Sequence, residues 1–99
     1  MARLSVNITR RQGLVTVTVD GEIDRGNADD VTRSLDAAAR LAIHTVVVDA
    51  QGVTFVDVAG RRALELPPRG RAVSVILLPS LAIRRFDDRT SHALEPHAA

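Results

Sequence analysis

The chain has no cysteine, lysine, tryptophan or tyrosine, and its two phenylalanines are Phe55 and Phe86. Each absence excludes a class of chemistry. Without cysteine there is no disulfide, no thiol nucleophile and no thiolate metal site. Without lysine the phosphate-cradling loop GxxxxGK[ST] cannot be written. Two phenylalanines do not make a platform on which nucleic-acid bases stack. No apolar run approaches the about 20 residues of a membrane helix, and no charged-then-apolar leader follows Met1. Direct membrane insertion is therefore not expected, and the cytoplasm is the simplest location. The histidines are His44, His92 and His97. None sits near a serine in a strained strand–turn–helix setting, and no glycine-framed serine occurs, so a hydrolytic triad is not expected. His92 and His97, with Glu95 between them, are solvated tail residues rather than metal ligands. No enzyme activity, catalytic residue, metal or cofactor is expected.

What is present suits one small domain with a packed core: 99 residues, 45% hydrophobic and 25% charged. The domain is expected to span 1–99, with an ordered part at about 3–88 and a flexible tail over 89–99. The net charge of +1 conceals an uneven distribution. Residues 20–36 carry Asp20, Glu22, Asp24, Asp29, Asp30 and Asp36 against Arg25 and Arg33. Residues 61–71 carry Arg61, Arg62, Arg69 and Arg71 against Glu65. Such polarity fits docking to a protein better than binding a phosphate backbone, which needs a concentrated basic surface. A nucleic-acid partner is not expected.

Leu4, Val6 and Ile8 alternate with Ser5, Asn7 and Thr9, the period of a half-buried strand. Arg10-Arg11-Gln12-Gly13 reads as a turn, and Leu14 to Asp20 as a returning strand with its valines on one face. Gly21-Glu22-Ile23-Asp24 then leads toward a helix over Ala28 to Leu41. Asn27 is placed to cap it, Asp29 and Asp30 lie in its first turn, and Val31, Leu35, Ala38, Ala39 and Ala42 form its stripe. Thr45 to Val48 is apolar at consecutive positions, the pattern of a strand buried on both faces. Gln51-Gly52 reads as a turn, with Val53 and Phe55 plugging the core. Asp57 caps a helix over Val58 to Leu66, which Pro67-Pro68 ends. Arg69-Gly70 leads to a last strand, Ala72 to Leu78. A short helix, Leu81 to Phe86, precedes a frayed segment from Asp87.

The order β-β-α-β-α-β-α predicts an α/β fold: a small mixed sheet of about four strands with helices packed mainly on one face. A ferredoxin-like fold has the same mix of elements, and strand order separates the two. The stretch Val46 to Gly60, VVVDAQGVTFVDVAG, delivers a carboxylate and a glycine to the start of a helix. Asp57 reads there as an N-cap, as part of an exposed docking surface, or as both. Asp24 has the same double reading, as a turn former and as a contact residue. Between Asp57 and Gly60 stand Val58 and Ala59, neither of which carries a nucleophile or a phosphorylatable hydroxyl.

Gly21-Glu22-Ile23-Asp24, a helix, and then VVVDAQGVTFVDVAG closely resemble the STAS domain, the fold of bacterial anti-sigma factor antagonists. The usual pattern there is a GE-(hydrophobic)-D turn, a helix, a strand ending in Asp-Leu-Ser-Gly-Val, and then Asp-Ser-Ser-Gly. The match covers about Leu4 to Phe86. The resemblance implies transcription regulation by partner switching. An unphosphorylated antagonist binds an anti-sigma factor, often a serine kinase, which then releases its sigma factor. Phosphorylation of the second serine breaks the complex by placing about −1.5 to −2 charges in the interface.

In this chain the serine positions are Val58 and Ala59, and Ala59 falls where phosphorylation is usual. The switch cannot operate there. Thr54 and Ser80 are the nearest hydroxyls, and both also read as turn or capping groups. The resemblance implies a contact set of Asp24, Asp57, Val58, Ala59, Gly60, Arg61 and Arg62. Two departures touch partner identity. The segment from Gly60 to Ala72 is shorter than is usual in the family, and Arg61 and Arg62 stand where small or apolar residues are common. STAS-like domains also serve as cytoplasmic accessory subunits of ABC-type membrane transport systems, which is the alternative function. The sequence leaves a homodimer open.

Overall fold

The computed structural model describes residues 3–65 and 73–94. Strands β1 (Leu4–Arg11) and β2 (Leu14–Ile23) pair antiparallel. The expected four-residue turn narrows to Gln12 and Gly13, with φ of 51° and 83°. Left-handed conformations at both central residues match a tight loop to the right-handed twist of its strands. Helix α1 (Ala28–Leu41) crosses over to β3 (Thr45–Val56), which pairs parallel with β2. Helix α2 (Val58–Glu65) leads on to β4 (Ser74–Pro79), parallel to β3, and α3 (Leu81–Leu94) follows. The sheet order is β1-β2-β3-β4. A sheet ordered as the chain runs is not the interleaved sheet of a ferredoxin-like fold.

One cluster forms the core. Val15, Val17 and Val19 of β2 are fully buried together with Val46, Val48 and Ala50 of β3. Helix α1 covers them with Val31, Leu35, Ala38 and, just past its end, Ala42; α2 adds Ala63 and Leu64, and α3 adds Ile83. The three helices among the described residues thus pack on one face of the sheet, in keeping with the expected arrangement. The bounds of α1 coincide with the helical spacing read from the sequence, because its stripe of small and branched apolar residues fits a sheet directly beneath.

Several expectations are corrected. The run Thr45 to Val48 is not buried on both faces: Val46 and Val48 are buried, whereas Val47 and Thr45 are half-buried on the face without helices. Strand β2 does not stop at Asp20 but continues to Ile23. Gly21 makes this feasible, with φ of 103° and its α-carbon so close to the start of β1 that a Cβ would lie 2.0 Å from the Arg3 carbonyl oxygen. Gln51-Gly52 is not a turn, since β3 runs through it. The pairing with β2 instead slips twice, opposite Thr18/Asp20 and opposite Gly21/Glu22. These bulges reset the in–out alternation. Val53 and Val56 face inward, and Phe55, paired with Glu22, turns outward and is 49% exposed rather than plugging the core.

Strand β4 is an edge strand with Val75 and Ile76 exposed, so its apolar run does not signal burial. Helix α3 continues to Leu94, well past the expected end at Phe86. The expected helix end at Leu66 and Pro67-Pro68, the lead-in Arg69-Gly70, and the tail positions Glu95 and His97 lie outside the described residues.

Candidate functional site

Strands β2 and β3 run parallel, so Ile23 and Val56 end side by side and the loops after them meet. Asp57 occupies the junction. Its backbone N–H donates to the Ile23 carbonyl at 3.3 Å, and its own carbonyl accepts from Arg61 N at 2.8 Å, the first turn of α2. Its Oδ1 accepts from Gly60 N at 2.8 Å, which makes it the N-cap of α2. Its Oδ2 accepts from Arg25 N at 3.0 Å, in the loop before α1. One carboxylate therefore holds two loops together.

Gly60 lets this happen. It is buried, and a Cβ there would lie 2.3 Å from the Ile23 carbonyl oxygen. Helix α2 can rest on the end of β2 only because that side chain is absent.

The preceding loop is built from Asp24 and Asn27. Asp24 Oδ1 accepts from Gly26 N at 2.8 Å, and the Asp24 carbonyl accepts from Asn27 N and Ala28 N at 3.1 and 2.8 Å. Asp24 is thus a turn former that closes on its own backbone. Asn27 stands at the N-cap position of α1 but makes no capping bond there. Its Oδ1 accepts from Asp24 N at 2.9 Å and its Nδ2 donates to the Glu22 carbonyl at 2.9 Å. The expected cap is instead a loop staple: at φ −128° and ψ 2° the residue is neither extended nor helical, and its amide bonds back toward the end of the strand.

A shallow depression opens on this surface, lined by Arg25, Asp57, Val58, Ala59 and Arg62. Val58 is 57% exposed. Ala59 is half-buried and packs partly against the core. Arg62 and Arg25 are exposed and flank the apolar pair. Arg61 behaves differently from its neighbour. Its Nε and Nη2 donate to Asp87 Oδ1 and Oδ2 at 2.8 and 3.2 Å, a two-bonded clamp between α2 and α3. The side chain is only 18% exposed. Hydrogen bonding by Asp87 raises the guanidinium above its ordinary value, against the lowering effect of burial, with the charges of Asp87 and Glu65 also raising it. Nη1 is buried without a hydrogen bond and has Glu65 Oε2 at 3.5 Å as counter-charge.

The structure therefore brings Asp24, Asp57, Val58, Ala59 and Arg62 together at one end of the sheet, with Gly60 beneath them and Arg61 turned toward α3. Arg25 was missed in the sequence. The only trace of its place there is that it is a cation inside an acidic run. Of the two alternative hydroxyls, Ser80 is buried, with its Oγ accepting from Ile83 N at 3.2 Å as the cap of α3. Thr54 is exposed, beside Phe55, Ala82, Arg85 and Arg89. Among the described residues no group of three His, Cys, Asp or Glu is placed to hold a metal ion. No helix among them is long and apolar enough to cross a membrane.

No curated protein sequence matches the chain. Solved structures do. The anti-sigma factor antagonist of Mycobacterium paratuberculosis superposes with a TM-score of 0.65 and 18% identity, over 98% of this chain and 87% of its own. The anti-sigma factor antagonist SpoIIAA, in its unphosphorylated form, gives a TM-score of 0.53 and 18% identity over 87% of this chain and 82% of its own. The crystal structure of Mglu gives 0.62 and 24% identity over 76% of this chain, but that match spans only 19% of Mglu. At these identities the likeness is one of fold. The family model named STAS domain matches residues 5–66, and the chain belongs to the STAS family.

Proposed function

We propose that this protein is an anti-sigma-factor-antagonist-like binding module that docks on an anti-sigma factor, a serine kinase in the usual arrangement, and carries no phosphorylation switch at the docking site. The observation that carries this reading is the Asp57 junction. Both carboxylate oxygens are engaged by backbone amides, so the loop before α1 and the start of α2 form one rigid surface. On that surface stand Val58 and Ala59, at the positions where the resemblance places the family's two serines. The scaffold for partner binding is intact, and the group that would be phosphorylated is missing. Asp24, Arg25, Asp57, Val58, Ala59 and Arg62 form the contact surface. Gly60 and Arg61 act from beneath it, the one by letting α2 approach β2 and the other by fixing α2 against α3. An apolar centre flanked by Arg25 and Arg62 suits a partner patch with an apolar knob and an acidic rim.

The antagonist structures share the fold, which supports the class of partner. The missing hydroxyl supports binding controlled by expression or by a competitor rather than by modification at this position. The test is to mix the purified protein with candidate anti-sigma kinases, with and without ATP, and to measure complex formation and phosphate incorporation together. A complex that survives ATP, with no phosphate on this chain, is expected. Dissociation on adding ATP with phosphate incorporated here overturns the unswitched part of the reading. Capture of a transporter ATPase subunit in place of an anti-sigma factor overturns the choice of partner.

A further inference from the structure

Strand β4 ends at Pro79, opposite Ala50, whereas β3 runs on to Val56. Among the described residues it is helix α3, not a strand, that lies beside this overhang. Between the two opens a cleft of about 230 Å³. It is lined by Thr54, Phe55 and Val56 of β3 and by Ala82, Arg85 and Arg89 of α3. The cleft shares no lining residue with the depression at Arg25 and Val58.

This cleft holds more positive charge than the fold answers. Arg85 and Arg89 stand one helical turn apart, so two cations are neighbours on one side of α3. Both are exposed, and neither has a carboxylate partner among the described residues. Arg61 differs, since Asp87 and Glu65 meet its charge. With Asp87 bound to Arg61, Asp88 alone stands against Arg84, Arg85 and Arg89 in that helix. Like charges four residues apart destabilise a helix, and an anionic occupant relieves them. The second feature is aromatic. Phe86 packs against the core, whereas Phe55, the other aromatic residue, is left 49% exposed at the cleft. Arginine beside an exposed aromatic ring is the composition of a protein-binding patch.

We propose that this cleft docks an acidic segment of a partner protein, one carrying a carboxylate beside an apolar side chain. The carboxylate is taken by Arg85 and Arg89, and the apolar side chain lies on Phe55. Arginine suits the task because its planar fork donates paired hydrogen bonds to a carboxylate. The cleft is smaller than the about 300 Å³ at which pockets begin to enclose a small molecule, so it takes side chains from a larger body. Two cations without a basic track around them do not follow a nucleic-acid backbone. The site is independent of docking at Val58 and Ala59. It stands on Phe55, Arg85 and Arg89, none of which lines that surface.

The test uses the whole protein, isotopically labelled, with a blocked hexapeptide of alternating glutamate and leucine as probe. Backbone amide and arginine Nε–H signals are followed by magnetic resonance during a titration at low salt. The expected result is saturable shifts at Thr54, Phe55, Arg85 and Arg89 that fade as added salt screens the carboxylates. The analogue with glutamine in place of glutamate should produce none. Arg85→Gln together with Arg89→Gln should weaken binding about fivefold or more, by removing two exposed ion pairs. Arg84→Gln, on the same helix but outside the cleft, should leave it unchanged. Shifts centred on Arg25 and Arg62 instead overturn the proposal, as does a titration that saturates nowhere. Equal shifts with inorganic phosphate overturn the acidic protein segment in favour of a simple anion. If deleting residues 95–99 produces the same shifts without peptide, the chain's own tail is the occupant and the foreign partner is overturned. The titration is read on the unaltered chain, so a variant that fails to fold does not remove the test.

Discussion

Asp57 accepts hydrogen bonds from two backbone amides that are far apart in the chain, Gly60 N three residues on and Arg25 N 32 residues back. Removing the carboxylate orphans both. Asp57→Ala should cost about 1–2 kcal/mol in chemical denaturation, the sum of a lost cap and a lost loop bond. Asp57→Asn, which keeps one acceptor oxygen, should lose about half of that. Two glycines give a sharper contrast. At Gly60 a Cβ would meet the Ile23 carbonyl oxygen at 2.3 Å and the carbonyl carbon at 2.8 Å, and backbone cannot step aside without moving α2. Gly60→Ala should cost about 2–3 kcal/mol, measured as a fall in the urea midpoint. At Gly52 the nearest atom is Asp20 Oδ1, at 1.8 Å. Asp20 is exposed and can rotate away, so Gly52→Ala should cost less than about 1 kcal/mol. The cap was legible in the sequence because a cap and its amide lie three residues apart. The bond to Arg25 was not, because nothing local announces a partner supplied by another loop.

Between elements, the Arg61–Asp87 clamp joins α2 to α3. The sequence places the end of α3 at Phe86 because Asp87-Asp88 reads as the start of a polar segment. The structure shows that Asp87 belongs to the helix and faces Arg61. A double-mutant cycle with Arg61→Ala and Asp87→Ala should give a coupling of about 1 kcal/mol, held down by the 44% exposure of the Asp87 side chain. The sign of any pH effect follows from the raised Arg61 value. Its contribution is fully present below the ordinary arginine value and is lost only as pH rises through the still higher folded one, so Arg61 adds no pH dependence near neutrality. Helix α1 could be delimited from the sequence because a 3.6-residue stripe over one sheet face is a strong local pattern. Strand β3 could not. Glycine at position 52 reads as a turn; the first of two bulges turns Val53 inward, and the second, between Val53 and Phe55, turns Phe55 outward where alternation from Val53 would bury it. Strand β4 misleads for a different reason: an uncharged edge and a buried strand have the same composition.

At the scale of the molecule, the order of elements and the GEID and DVAG stretches were enough to reach the family, and the sequential sheet removed the ferredoxin-like alternative. What a sequence cannot announce is which side of a sheet stays bare. Here all three helices share one core with a single face, and Thr16, Thr18, Thr45 and Val47 on the other stay half-buried. That one-sidedness has a calorimetric consequence. The heat capacity of unfolding tracks the apolar surface that melting exposes to water. For a chain of this length it is ordinarily about 1.2–1.5 kcal/mol/K. With so much of its sheet already hydrated in the native state, this protein should fall at or below about 1.2 kcal/mol/K when scanned as dilute monomer. Its free energy should then vary little between cold and warm, a broad, shallow dome rather than a narrow peak.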